Sequence, residues 1–234
     1  MATLNIISAG AAQGALTQIA DKFQRESGSA INASFGAVGA MKARVTAGEP
    51  ADVIVLTAAL IDELIQAGII VPGSRADLGR VGTGVAVRAG TPLPDVRDAR
   101  VLRGNLLAAT KVVCPDPKVA TAGKVVMGAL DKLGIAADMK KRLQFFPNGA
   151  AAMVALSRGT AALEMGITQV TEIVANKGVT HVGPLPAELQ SITMYSAGLA
   201  KRSAHPERAK EFIRRLTGFT AQTVLSSAGF DVGH

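Results

Sequence analysis

A chain of 234 residues is long enough to bury a substantial core, and with 48% hydrophobic and 18% charged residues it is globular rather than disordered. Aromatic residues make up 3%, with no Trp and a single Tyr, which argues against a site built from aromatic platforms of the kind that stack single-stranded nucleic acid or sugars. The net charge of +7 is spread along amphipathic stretches such as Lys140–Lys141–Arg142 and Lys210…Arg214–Arg215, so no nucleic-acid partner is expected, and a field that steers small acidic molecules is what remains.

In chain order the pattern alternates strand and helix. Leu4–Ile7 reads as a short buried strand, and Gly10–Gly14 turns into a helix running to about Ser27. Leu16, Ile19, Ala20 and Phe23 form the apolar face of that helix and Gly28 its cap. Ile31–Phe35 is the next strand, Gly36–Gly39 a turn, and Ala40–Ala47 a helix. Pro50 precedes a third strand, Asp52–Leu56, and Ala59–Ala67 is a helix ending at Gly68. Val81–Arg88 reads as a long strand, after which Thr91–Pro92–Leu93–Pro94 punctuates the chain. A second series follows: strand Lys111–Cys114, helix Thr121–Leu133, strand Leu143–Phe146, helix Gly149–Arg158 and strand Ala162–Met165. Ile192–Ala200 is another long strand, and two short helices close the chain, with Pro206 in a first turn.

Repeated strand–helix units imply a largely parallel sheet in each series. The two long strands bracket the second series, which predicts two lobes, one of residues 1–84 and 196–234, the other of residues 85–195. In such architectures ligands sit between lobes, at strand C-termini and helix N-termini. The one cysteine, Cys114, precludes an intrachain disulfide and a cysteine-based zinc site and is expected to be a buried, inert thiol. The apolar stretch Ala51–Val71 is broken by Asp52, Asp62 and Glu63, so no membrane span is expected. The uncharged first twenty residues lack a basic leader segment and read as strand plus helix. The compartment is then periplasmic if a signal peptide once preceded Met1 and cytoplasmic if Met1 is the native start.

Three junctions suit an anion. Ser8–Ala9–Gly10–Ala11 ends the first strand, Gly36–Ala37–Val38–Gly39 the second, and Pro117–Lys118–Val119–Ala120–Thr121–Ala122–Gly123 the first strand of the second series. Each joins small residues to a helix start, where free N–H groups and the helix dipole favour negative charge. Sharper motifs fail. Gly82–Thr83–Gly84 meets Val87 where a dinucleotide fingerprint needs glycine, Gly123–Lys124 meets Val125 where a P-loop needs Ser or Thr, and no Gly-x-Ser-x-Gly elbow occurs. His181, His205 and His234 are far apart, so neither a histidine metal cluster nor any cofactor is expected. Asp52 and Asp95 sit beside turns, where capping explains them.

The opening run "LNIISAGAAQGALTQIADKFQRESGSAINASFGAVGAMKARVTAGEPADVIVLTAALIDELIQAGII" resembles that of the molybdate-binding proteins of ABC transporters, including a Gly-x-Pro-Ala-Asp strand at Gly48–Asp52. The resemblance continues through "PDPKVATAGKVVMGALDKLG", "NGAAAMVALSRGTAALEMGI" and "AHPERAKEFIRRLTGFTAQTVLSSAGF", covering essentially the whole chain. It implies a two-lobed, hinged α/β fold of the type II periplasmic-binding-protein kind, a monomer that closes on a small anionic ligand and partners an ABC transporter membrane component. That family holds a tetrahedral oxyanion with two serine hydroxyls, backbone amides and a tyrosine hydroxyl. The matching positions here are Ala11, Val38 and Met165, with Ala122 kept as a backbone donor. Each missing hydrogen bond to a desolvated oxyanion costs about 1–3 kcal/mol, and two losses weaken binding roughly a hundredfold or more. Molybdate is therefore disfavoured. A wider cleft lined by Ser8, Gln13, Thr57, Thr121, Asn148 and Thr168 suits an organic anion, with Lys118 and Lys124 as carboxylate partners.

Two functions are in play. The first is a binding protein without catalysis, since no nucleophile–base pair is visible. The second is a cofactor-independent isomerase of a carboxylic acid, because aconitate isomerase resembles this family; Glu164 and Lys118 are then the candidate catalytic groups. A transcriptional effector domain ranks last, because no helix-turn-helix is attached.

Overall fold

The structure, a computed structural model, describes residues 2–233. In chain order the elements are β1 (Thr3–Ala9), a 3-10 turn (Gly10–Ala12), α1 (Gln13–Ser27), β2 (Ala30–Gly36), α2 (Val38–Thr46), β3 (Val53–Thr57), α3 (Ala58–Gln66), β4 (Ala76–Val81), β5 (Thr83–Arg88) and α4 (Ala99–Ala108). There follow β6 (Lys111–Pro115), α5 (Thr121–Lys132), α6 (Ala136–Met139), β7 (Leu143–Phe146), α7 (Gly149–Ser157), β8 (Glu164–Gln169), α8 (Val170–Val174), β9 (Val179–Pro184), β10 (Thr193–Leu199), α9 (Pro206–Thr217) and α10 (Phe219–Ser227). The chain divides into two compact units, residues 1–81 with 193–234, and residues 82–192.

The first unit is a sheet of order β2-β1-β3-β10-β4. β1 runs parallel to β2 and β3, β10 antiparallel to β3, and β4 antiparallel to β10, so β4 runs with the first three. The helix pattern of α1 holds: Ala15, Leu16, Ile19, Ala20 and Phe23 are buried, and Gly28 ends the helix at φ 68°, a left-handed position that glycine takes without strain. Phe23 meets Phe212 of α9 edge-to-face with ring centroids 5.2 Å apart, which ties the first helix to the penultimate one. Pro206 occupies the first turn of α9, as its spacing predicts.

Asp52 has a larger role than a turn cap. Its carboxylate accepts from Asn5 N at 2.8 Å, Ser203 Oγ at 2.6 Å and His205 N at 3.2 Å, joining β1, the start of β3 and the approach to α9. Asp52→Ala is expected to lower stability by about 2 kcal/mol, because three hydrogen bonds to the buried carboxylate are lost and their part-buried donors are left without this partner. Asp52→Asn, which keeps one acceptor oxygen, should lose less. Denaturant midpoints of the two variants check this ordering.

The second unit repeats the topology with the order β7-β6-β8-β5-β9. β6 is parallel to β7 and β8, while β5 is antiparallel to β8 and β9. Side chains alternate between the two faces of this sheet. Val85, Val87, Met165 and Ile167 share a core with Val126, Ala129 and Leu130 of α5, while Ala86 and Val113 pack with Ala152, Met153 and Leu156 of α7. Cys114 is buried, and burial, reinforced by Asp116, pushes its thiol up to about 12.

Several sequence expectations are corrected. The strand read as Val81–Arg88 is broken at Gly82, so that β4 belongs to the first sheet and β5 to the second. The strand read as Ala162–Met165 begins later and runs to Gln169, because Thr168 and Gln169, polar in sequence, are buried in the sheet. The segment after Thr91–Pro94 carries α4, capped by Asp98 Oδ1 on Val101 N at 2.9 Å. The stretch beyond β8 holds α8 and β9, which no periodicity revealed. Among the described residues no helix is long and apolar enough to cross a membrane.

Candidate functional site

In the first unit, β1, β2 and β3 end at one edge of the sheet and each feeds a helical segment. Ala9 precedes the 3-10 turn without a side-chain cap, and Gln13 N, just after the turn, donates to Gly10 O. The i→i+3 pattern of such a turn gives Ala12 N the Ala9 carbonyl, so the amides of Gly10 and Ala11 precede the first intrahelical bond. Ala37 precedes α2 in the same way, and Val38, Gly39 and Ala40 lie ahead of its first bond, from Met41 N to Ala37 O. Gly36 allows this tight approach, since a Cβ there would fall 2.6 Å from Met41 Cε. Thr57 differs: its Oγ1 accepts from Leu60 N at 3.4 Å and caps α3.

The polar side chains expected at this edge are engaged or turned away. Ser8 is fully buried, and its hydroxyl donates to the Ala9 carbonyl at 3.1 Å. Ala11 is part of the core, and Gln13 is exposed at the start of α1. What this edge offers an anion is backbone: the amides of Gly10–Ala11 and Val38–Ala40.

In the second unit the corresponding edge carries the starts of α5, α7 and the five-residue α8, and the first two are opposite in character. α5 begins without a side-chain cap at Ala120, and Thr121, Ala122 and Gly123 precede its first bond, from Lys124 N to Ala120 O. The turn into it is tied by Asp116, whose Oδ1 accepts from Lys118 N at 2.8 Å and whose carbonyl accepts from Val119 N and Ala120 N. Gly123 is required there: a Cβ would fall 2.3 Å from the Pro115 carbonyl oxygen and 2.7 Å from Pro117 N. Lys118 and Lys124 are exposed beside this turn, in reach of a carboxylate arriving at the amides.

The start of α7, by contrast, is filled from within. Asn148 Oδ1 accepts from Ala151 N at 2.8 Å, and the buried Glu172 carboxyl receives the Thr168 hydroxyl at 2.6 Å. A Cβ on Gly149 would lie 1.8 Å from Glu172 Oε2, so the carboxyl sits directly on the first residue of the helix. Burial raises the Glu172 pKa, opposed by Thr168 and by the amides of Gly149, Ala150 and Gln169, which favour the charged form. Asn148 and Thr168, read from the sequence as ligand-lining, are thus internal partners of a helix start that carries its own carboxyl.

The structure also separates the candidate catalytic pair. Glu164 opens β8 beside Lys111, the first residue of β6, with Lys111 Nζ 3.7 Å from its carboxylate and Ala161 N donating to it at 3.2 Å. Lys118 lies beyond the other end of β6. At about 3.3 Å per strand residue the two groups are more than about 10 Å apart. Met165, the residue after Glu164, is fully buried in the α5-side core and is distant from the helix starts for the same reason.

Two residues that the sequence reading passed over lie at the second edge. Thr83 and Gln169 face each other across the β5–β8 ladder. By alternation they share the face of Val85, Val87, Met165 and Ile167, on which α5 packs. They also sit at the end of the sheet where α5 begins, since β8 runs parallel to β6. Both are buried, and Thr83 Oγ1 and both amide atoms of Gln169 have no hydrogen-bond partner. Each such atom costs about 1–3 kcal/mol when left unsatisfied. The polar pair inside a buried strand was a usable signal, hidden because the strand was read as ending at Met165.

The family model described as bacterial extracellular solute-binding protein matches residues 4–231. An aconitate isomerase of Pseudomonas sp is 26% identical, covering 97% of this chain and 87% of its own. A protein of Bacillus subtilis (strain 168) named as an ABC transporter substrate-binding lipoprotein is 25% identical, covering 97% of this chain and 86% of its own. Among solved structures, the Azotobacter vinelandii periplasmic molybdate-binding protein aligns over 99% of this chain and 100% of that one, with a TM-score of 0.84 at 23% identity. At that identity the likeness concerns the fold, which is the α/β, two-sheet fold of type II periplasmic binding proteins.

Proposed function

The chain belongs to the bacterial extracellular solute-binding protein family, and we propose that it captures a small organic anion and releases it unchanged. The observation that carries this reading is the start of α5 at Thr121–Gly123, which has no side-chain cap, with uncapped starts also at Gly10–Ala11 and Val38–Ala40 of the first unit. Each places the first amides of a helical segment, ahead of its first intrahelical bond, where a negative group is favoured. Lys118 and Lys124 add exposed positive charge to the third.

Molybdate is a poor match for these residues. Ser8 directs its hydroxyl to its own strand, Ala11 and Met165 are core residues, and Val38 is apolar. An oxyanion stripped of water would find no hydroxyl at these three positions, whereas a carboxylate needs fewer donors and brings a carbon skeleton to the apolar side chains. Partnership with a membrane component of an ABC transporter, and a location outside the cytoplasmic membrane, are supported by the family and by the Bacillus relative.

A thermal-shift screen across molybdate, sulfate, phosphonates and di- and tricarboxylates tests the reading. Stabilisation by a carboxylate, with ligand at about a hundred times Kd, is expected to add about 2.7 kcal/mol of stability. A selective response to molybdate would sink it.

The similarity to aconitate isomerase over nearly the whole chain supports a second reading, proton transfer on a carboxylic acid. Glu164 and Lys118, held at opposite ends of β6, are not a working pair for it, so another base would have to serve. Solvent deuterium appearing in a bound carboxylic acid would favour the isomerase; a ligand recovered without deuterium would favour the binding protein.

A further inference from the structure

The unpartnered polar pair on the α5 side of the second sheet points to the kind of anion taken. We propose that Thr83 and Gln169 form a specificity pair that recognises a hydroxyl group on the ligand while the α5 start holds its carboxylate. The inference rests on the anion-binding reading above and adds to it the ligand's second functional group.

Three observations meet at this place. The α5 start is uncapped at Ala120. Thr83 and Gln169 lie at that end of the sheet, on the face that α5 covers, and are cross-strand neighbours. Their side-chain polar atoms are buried and have no partner. The backbone around them is held firmly. Thr83 N donates to Gln190 Oε1 at 2.8 Å, Gln190 Nε2 returns a bond to Thr83 O at 2.8 Å, and Val170 N, next to Gln169, donates to Gly82 O at 2.9 Å. The Thr83 backbone is therefore fixed in position, and both its hydroxyl and the Gln169 amide can turn about their side-chain bonds without breaking a hydrogen bond.

The chemistry of the pair selects the ligand. The Gln169 amide offers one acceptor and two donor hydrogens, and the Thr83 hydroxyl can give and receive. A fully deprotonated oxyanion or a bare dicarboxylate accepts only, so it gives Gln169 Oε1 no donor and leaves it to draw on the Thr83 hydroxyl, which then cannot donate to the ligand. A hydroxyl beside a carboxylate donates to Oε1 and accepts from both Nε2 and Thr83. The class that satisfies every atom of the pair is a hydroxycarboxylate. Sites that hydrogen-bond a substrate hydroxyl discriminate strongly against the analogue lacking it, because the buried partners are then left unpaired.

Matched ligands test this by isothermal titration calorimetry on the full chain: malate against succinate, and citrate against tricarballylate. The unaltered protein is expected to prefer the hydroxylated member of the bound pair by at least about tenfold. Gln169→Met and Thr83→Val, which keep size and remove the polar atoms, should reduce that preference to about twofold or less. Both variants should melt no lower than the parent, since a buried unsatisfied group is removed. An unchanged preference in both variants, or a marked fall in melting temperature, overturns the inference and leaves the anion-binding reading standing. Failure of the parent to bind any carboxylate overturns both.

Discussion

Gly123→Ala is expected to remove anion binding and to destabilise residues 82–192 by about 1–3 kcal/mol, the range for overpacking a tight site. The added methyl would meet the Pro115 carbonyl oxygen at 2.3 Å, Pro117 N at 2.7 Å and the Asp116 carbonyl carbon at 2.8 Å. All three are backbone atoms, so no side-chain rotation relieves the clash, and the start of α5 must move off the β6–α5 turn. Helix propensity opposes the loss by favouring Ala over Gly by up to about 1 kcal/mol, too little to win. Gly128→Ala in the same helix is the control. Nothing lies within 4 Å of the Cβ it would add, so this variant should gain stability and bind normally. Chemical denaturation and calorimetry on the two variants check the opposite signs.

Glu172→Ala is expected to cost about 2–4 kcal/mol, because the Thr168 hydroxyl and the first amides of α7 lose the buried carboxyl that faces them. Glu172→Gln keeps the volume and should cost less. The pH dependence has a definite sign. Burial raises the Glu172 pKa in the folded state, so the unfolded chain releases this proton first as pH rises. The contribution of Glu172 is fully present below the ordinary carboxylate range and declines as pH climbs through the raised folded value. Denaturation of the parent over that range should show this loss of stability, and Glu172→Gln should flatten it. A slope that persists unchanged in Glu172→Gln would assign it to another group.

Much of the fold was legible because its signals are local. The apolar spacing of α1, the glycine after it, the proline opening α9 and the short apolar runs of β1, β2, β3, β6 and β7 each depend on a few neighbouring residues. The break at Gly82 was not legible, since Val81–Arg88 read as one continuous strand, and only pairing with different partners assigns Val81 to β4 in one sheet and Thr83–Arg88 to β5 in the other. The uncapped helix starts were legible for the same local reason, as turns of small residues. The roles of polar residues near them depended on distant partners. Asn148 and Thr168 looked available until the fold placed Glu172 against α7. Glu164 and Lys118 stood side by side as candidates only until strand direction set Glu164 beside Lys111, at the end of β6 away from Lys118. Thr83 and Gln169 come together only through an antiparallel pairing of strands far apart in sequence.

The central claim is that an organic anion is taken at the uncapped start of α5 and not at the filled start of α7. Backbone amide NMR during titration with a bound carboxylate tests it most directly. Within residues 82–192 the largest shifts are predicted at Thr121–Gly123, with Gly149 and Ala150 nearly still beneath the Glu172 carboxyl. Shifts concentrated at Gly149 and Ala150, with those of Thr121–Gly123 unmoved, would contradict it.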